Sequence, residues 1–223
     1  MSKLPKKLLN IPNADKKWHE KWYKGRDMLN FIHPFRIVIF GNPNTAKTTK
    51  AKNIMIRADP PFEKIFVIHI DGEYTQEYED IDAVMLDKIP APNSPIFDGE
   101  CKTLVVLEDL EFKFLNKTEL RNLDRLCGYV STHKNVSVIT IAQDGFNLPP
   151  CVRRMSNIWV LGKSNDMDSI KQISRKCGLT PKFVENIYKT KFKTQYDSLW
   201  IDNTKNSPYP LRLNGFEPIQ GEK

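Results

Sequence analysis

The chain has 223 residues, 40% of them apolar and 27% charged, with a formal net charge of +7. That length supports one full core with short appendages, and no run approaches the ~20 apolar residues of a membrane helix, so a spanning segment is excluded. The basic start, MSKLPKKLLN, is not followed by the long apolar run of a secretory signal.

Residues 1–34 read as a basic appendage in which Trp18 and Trp22 would share one face of a short amphipathic helix. FRIVIF (35–40) is a continuous β-branched run and predicts a strand. It leads through GNPNTAKTT into the helical stretch TTKAKNIMIRA. KIFVIHI (64–70) predicts a second strand, AVML (83–86) a short one within an acidic, Pro-rich stretch, and TLVVLED (103–109) a third clear one. NKTELRNLDRLCGYV (116–130) reads as a helix with Leu120, Leu123 and Leu126 on one face. NVSVITIAQ (135–143) and NIWVLG (157–162) are further strands. MDSIKQISRKCG (167–178) is a helix closed by Gly178, LTPKFVENIYKT (179–190) another, and SLWIDN (198–203) the last strand before a Pro-containing tail. Strands apolar on both faces, alternating with helices, predict an α/β fold with a mostly parallel sheet covered on both sides. The expected organisation is an appendage (1–34), a P-loop domain of RecA-like type (35–203) and a tail (204–223).

The segment Gly41-Asn42-Pro43-Asn44-Thr45-Ala46-Lys47-Thr48, followed by Thr49, fits the phosphate-binding pattern G-x-x-x-x-G-K-[ST] with Ala46 in place of the second glycine. Strand, loop and helix are the required context. Backbone N–H groups wrap the β-phosphate of ATP, Lys47 bridges the β- and γ-phosphates, and the Thr48 hydroxyl binds Mg²⁺. A methyl group at Ala46 is expected to demand a negative φ. TLVVLED supplies acids at a strand end: Glu108 to hold Mg²⁺ through water and Asp109 to polarise the attacking water, in the reverse of the usual Asp-Glu order. One strand intervenes between the two motifs. Gln143, at the end of the next strand, suits a γ-phosphate sensor. Arg153 and Arg154 follow a Pro-Pro pair. They can serve as an arginine finger towards a neighbouring subunit, grip a DNA phosphate, or do neither.

The positive balance favours acidic partners, nucleic acid first among them, although a lysine-rich soluble surface gives the same charge. Cys101, Cys127, Cys151 and Cys177 form no C-x-x-C pair and read as buried, reduced thiols of a cytosolic or nuclear protein.

Taken together, FRIVIFGNPNTAKTT, TLVVLEDLEF, STHKNVSVITIAQD, PPCVRRMSNIWVLGKSNDMDSIKQISRKCG and YDSLWIDN resemble the genome-packaging ATPases of the HerA/FtsK superfamily. The likeness is greatest to the poxvirus-type packaging ATPases of large DNA viruses and virophages, and it spans roughly residues 35–203. His133 before a strand ending in Gln, then an arginine, Asn157 and another strand, carry it most specifically. The resemblance implies a homo-oligomeric ring, a pentamer or hexamer, that hydrolyses ATP with Mg²⁺. Such a ring moves double-stranded DNA into a preformed viral capsid and meets that capsid's portal or vertex proteins. It implies a site of action in the host cytoplasm or nucleus, in the virus factory or on the virion. By motif, Lys47 and Thr48 match the P-loop pair, Glu108 and Asp109 the acids, Gln143 the sensor, and Arg153 or Arg154 the downstream arginine. The competing readings are a superfamily 3 replicative helicase and a nucleotide-binding assembly scaffold.

Overall fold

A computed structural model describes residues 28–69, 76–145, 147–205 and 207–220; the proposed Trp18–Trp22 helix lies outside them. The strands are β1 (Arg36–Phe40), β2 (Lys64–His69), β3 (Val84–Leu86), β4 (Thr103–Glu108), β5 (Val136–Ala142), β6 (Ile158–Gly162), β7 (Ser198–Asp202), β8 (Leu211–Leu213) and β9 (Glu217–Pro218). They form one nine-stranded sheet in the order β3-β2-β4-β5-β1-β6-β7-β8-β9. From β3 to β6 every pairing is parallel, and β7, β8 and β9 add on antiparallel. The chain after residue 203, expected as a tail, therefore extends the sheet by two strands. β1 is central, with Phe40 registered to Ala142 on one side and to Leu161 on the other.

The helices are α1 (Lys47–Ile56), α2 (Lys117–Arg125), α3 (Pro150–Met155), α4 (Met167–Lys176) and α5 (Pro181–Thr190). Alternation along the strands divides the core into two layers. Val38, Phe40, Val105, Leu107 and Leu161 face α2, α3, α4 and α5, which contribute Leu123, Val152, Ile170 and Val184. Ile37, Ile39, Leu104, Val106 and Val160 face α1, which contributes Ala51, Ile54 and Met55, and the segment carrying Leu29, Phe31 and Phe35. Both faces are covered, but unequally.

α2 begins with a capping box, Asn116 and Glu119 each bonding the other's backbone N–H, and continues through a π turn (Leu126–Val130) into Ser131–His133. Leu123 and Leu126 are buried, whereas Leu120 is 39% exposed. An i+3 row drifts about 60° per step around a helix, so its first leucine leaves the buried arc. Cys127 and Cys151 are buried and Cys101 and Cys177 half-buried, and all four are free.

Candidate nucleotide-binding site

At the C-terminal end of β1 the chain turns sharply. A Cβ on Gly41 would lie 2.9 Å from Thr45 Oγ1 and 3.3 Å from both Gly162 Cα and Lys163 O, so only glycine fits beneath the loop. Gly41 N donates to Ala142 O and Asn42 N to Lys163 O, which ties the loop to both neighbours of β1. The Thr45 hydroxyl and the Lys47 ammonium both donate to Asn42 O, at 2.8 and 2.9 Å. Lys47 thus folds back across the loop.

Ala46 is the N-cap of α1 and adopts φ 57°, ψ 40°, the left-handed conformation. The expected negative φ is not what the fold uses: the loop holds the alanine where the motif has glycine. That conformation costs an L-residue roughly 1–2 kcal/mol and persists because the flanking bonds over-determine the loop. Asn44 is also left-handed, at φ 61°. No side chain caps α1, so its first N–H groups remain open to an anion.

β4 delivers the acids. Glu108, its last residue, lies between His69 of β2 and Ile141 of β5 in register and is 5% exposed. Its Oε1 accepts from Thr48 Oγ1 at 2.8 Å, and its Oε2 accepts from the Tyr78 hydroxyl. Burial pushes the Glu108 carboxyl above the ordinary carboxylate range, and the two donated hydrogen bonds pull against that shift. Asp109 leaves the strand at φ 45°. Its Oδ2 accepts from Gln143 Nε2 at 2.9 Å, while its Oδ1 is buried with no protein partner. Burial lowers the pKa of Lys47, and Asp109, Glu108 and Glu77 oppose that.

These groups border one cleft of about 820 Å³, lined by Pro43 to Thr49, Glu108, Asp109 and Gln143. It also takes in His69, Glu77, Gln195 and Tyr196, which sequence reasoning had not singled out. Behind Ala46's place in the loop, a second hollow of about 260 Å³ is bordered by Ala46, Lys50, Asn53, Tyr196, Trp200 and Phe216. Burial, with Lys47 nearby, pulls Lys50 down to about 8. Thr48 and Glu108 present hard oxygen donors at contact distance. Among the described residues no cluster of three His, Cys, Asp or Glu could hold a metal unaided. Two protein oxygens beside a phosphate cleft suit Mg²⁺, which keeps most of its ligands as water and phosphate.

Arg153 and Arg154 do not line the cleft. They sit on the last turn of α3, just before Met155 O accepts from Arg36 Nε and Asn157 Oδ1 accepts from Arg36 N, at the opposite end of β1. A five-residue strand, about 16 Å, separates that edge from the phosphate loop. The Pro-Pro pair starts α3 and does not project the chain: Pro149 is its N-cap and Pro150 its first residue. Arg154 is exposed, and Arg153 is half-buried with an unpartnered Nε.

The chain matches no family profile and no curated protein sequence. It is similar in structure to the genome packaging NTPase B204 from Sulfolobus turreted icosahedral virus 2, solved with sulfate, at TM-score 0.58 and 14% identity over 86% of this chain and 100% of that one. The same NTPase in complex with ATP-gammaS matches at TM-score 0.54 and 15% identity, over 84% of this chain and 98% of that one. The pCW3 conjugation coupling protein TcpA matches at TM-score 0.52 and 12% identity, over 77% and 58% of the two chains. At such identities the likeness concerns the fold. The chain has a P-loop NTPase fold, which it shares with the genome packaging NTPase B204.

Proposed function

We propose that this protein is an ATPase whose turnover drives double-stranded DNA into a preformed viral capsid. The observation that carries the reading is the gathering of Lys47, Thr48, Glu108, Asp109 and Gln143 around one cleft, on a fold shared with packaging NTPases. The triphosphate lies on the open N–H groups of the loop and α1, and Lys47 exchanges Asn42 O for the β- and γ-phosphate oxygens. Thr48 and Glu108 would hold Mg²⁺ beside the phosphates, where the ion would supply charge neutralisation. The free Oδ1 of Asp109 accepts a proton from a water that attacks the γ-phosphorus. The bond from the γ-phosphorus to the bridging oxygen breaks, and ADP leaves with that oxygen. Gln143, bonded to the same carboxylate, changes partner when the γ-phosphate departs. The base enters the hollow beside Ala46, against Tyr196 and Phe216.

The arginines stand at the far edge of the sheet from their own nucleotide, which suits a finger offered to the next subunit of a ring. Mixing two inactive variants tests this: Lys47→Ala, and the double change Arg153→Ala with Arg154→Ala. Mixed rings contain interfaces that join an intact loop to intact arginines, so part of the ATPase activity returns. Mixed rings that form and stay inactive would show that the arginines do not act in trans. The motor reading requires turnover to rise when duplex DNA is added. A nucleotide-binding scaffold would show no such rise, and a helicase would unwind a fork. The capsid's portal or vertex proteins and a place in the host cytoplasm or nucleus, where capsids assemble, belong to this same reading.

A further inference from the structure

Outside the nucleotide cleft, α2 carries an unneutralised row of cations. Lys117, Arg121 and Arg125 recur every four residues, and all three are exposed. They border a groove of about 350 Å³ with Thr118, Asn122 and Pro92, and no carboxylate lines it. The helix does own two acids. Glu119 is spent on the capping box, and Asp124 is exposed and lines no part of the groove. Among the described residues none of the three cations forms an ion pair. Like charges at i,i+4 destabilise a helix by about 0.2–0.5 kcal/mol per pair, so the row is kept at a cost to the helix itself.

We propose that this groove binds the phosphate backbone of duplex DNA; the inference rests on the DNA-motor reading above and assigns the residues that grip the duplex. Along a helix, Lys117 to Arg125 spans about 12 Å, which covers roughly three to four phosphates of one strand at 3.4 Å of duplex axis each. The groove offers cations, a hydroxyl and an amide but no aromatic ring. Single-strand binders rely on stacking platforms, so its chemistry suits a backbone with its bases already stacked. The neighbouring rings of Tyr129 and His133 stack on each other, with centroids 4.9 Å apart, and line no part of the groove. On the other side of α2, Leu123 and Leu126 are buried in the core, so the row is held on a fixed element. Eight residues before Lys117 is Asp109, so the gripping helix follows directly on the loop that leaves the catalytic strand.

The test is the salt dependence of duplex binding by the full chain, measured by fluorescence anisotropy. In K117Q/R121Q/R125Q the slope of log K against log salt should shrink by about 2–3, with binding weaker on the order of 10²-fold at 0.1 M salt. Basal ATP turnover without DNA should be unchanged. A control, K182Q/K189Q/K205Q, removes three other exposed cations and should alter the slope far less. Equal losses in the two triple variants, or an unaltered slope in the first, would overturn the groove while leaving the motor reading intact. A single strand of equal length that binds as tightly as the duplex, and loses as much, would refute the duplex backbone as the occupant. Failure of the unaltered protein to bind duplex DNA at any salt would remove the motor reading and the groove together.

Discussion

The two ends of the parallel strands are built on opposite terms. At the N-terminal ends most polar groups are paired within the fold, although Arg153 Nε beside them has no partner. His33 bonds Ser137 Oγ and Asn135 O, Phe35 N donates to the same serine, and Arg36 reaches Asn157, Met155 O and Ser131. The left-handed residue there is Asn135, a type that tolerates the conformation. At the C-terminal ends the left-handed residues include Ala46 and Asp109, a carboxylate is buried, and Asp109 Oδ1 has no partner. One end spends its hydrogen bonds on the fold. The other keeps open groups and strained backbone for a ligand.

The sharpest way to break that contrast is to cut both ends. Lys47→Ala should lower hydrolysis by on the order of 10²-fold or more with little change in melting temperature. Asn157→Ala, which strips Arg36 N and Thr204 of a partner, should cost about 1–3 kcal/mol of stability and leave turnover per folded molecule near normal. Reversed outcomes in thermal melts and ATPase assays would erase the distinction.

Glu108→Gln tests the buried charge. Because the folded carboxyl titrates above its unfolded value, ionisation opposes folding. That penalty is absent below the unfolded pKa, near 4.3, and is complete above the folded pKa. The variant should therefore be inactive yet melt higher than the unaltered protein at pH 8, and the advantage should shrink as pH falls through the folded pKa. A variant that melts lower at pH 8 would mean that the carboxylate is already well compensated. The smallest effect belongs to Ala46→Gly, which relieves the left-handed alanine and should stabilise the protein by about 1 kcal/mol in a denaturation curve. A loss of stability there would show that the loop tolerates the methyl group without strain.

Much of this was legible before the structure. The strands are long apolar runs bounded by turn residues; Glu108, Asp109 and Gln143 stand at or just past strand ends and Lys47 and Thr48 open the helix after β1, where topology brings them together. What stayed hidden was non-local. Tyr78 reaches Glu108 across 30 residues from an acidic stretch that has no periodicity. Tyr196 and Phe216 meet beside Ala46 only because β7 and β8 fold back antiparallel, and strands of two or three residues such as β8 and β9 are too short to show alternation. Ala46 misled because a residue name reports its preference and not the conformation its neighbours impose.

The central placement of β1 has a consequence in time. The phosphate loop is mounted on a strand hydrogen-bonded on both sides, between β5 and β6, while Gly41 and Asn42 are tied to those same neighbours. Amide protons of β1, β4 and β5 should exchange with deuterium only on global opening and at one rate, whether nucleotide is bound or not. On the motor reading, a stroke driven by hydrolysis would then be expressed first where Asp109 leaves β4, with the sheet as its stationary reference frame.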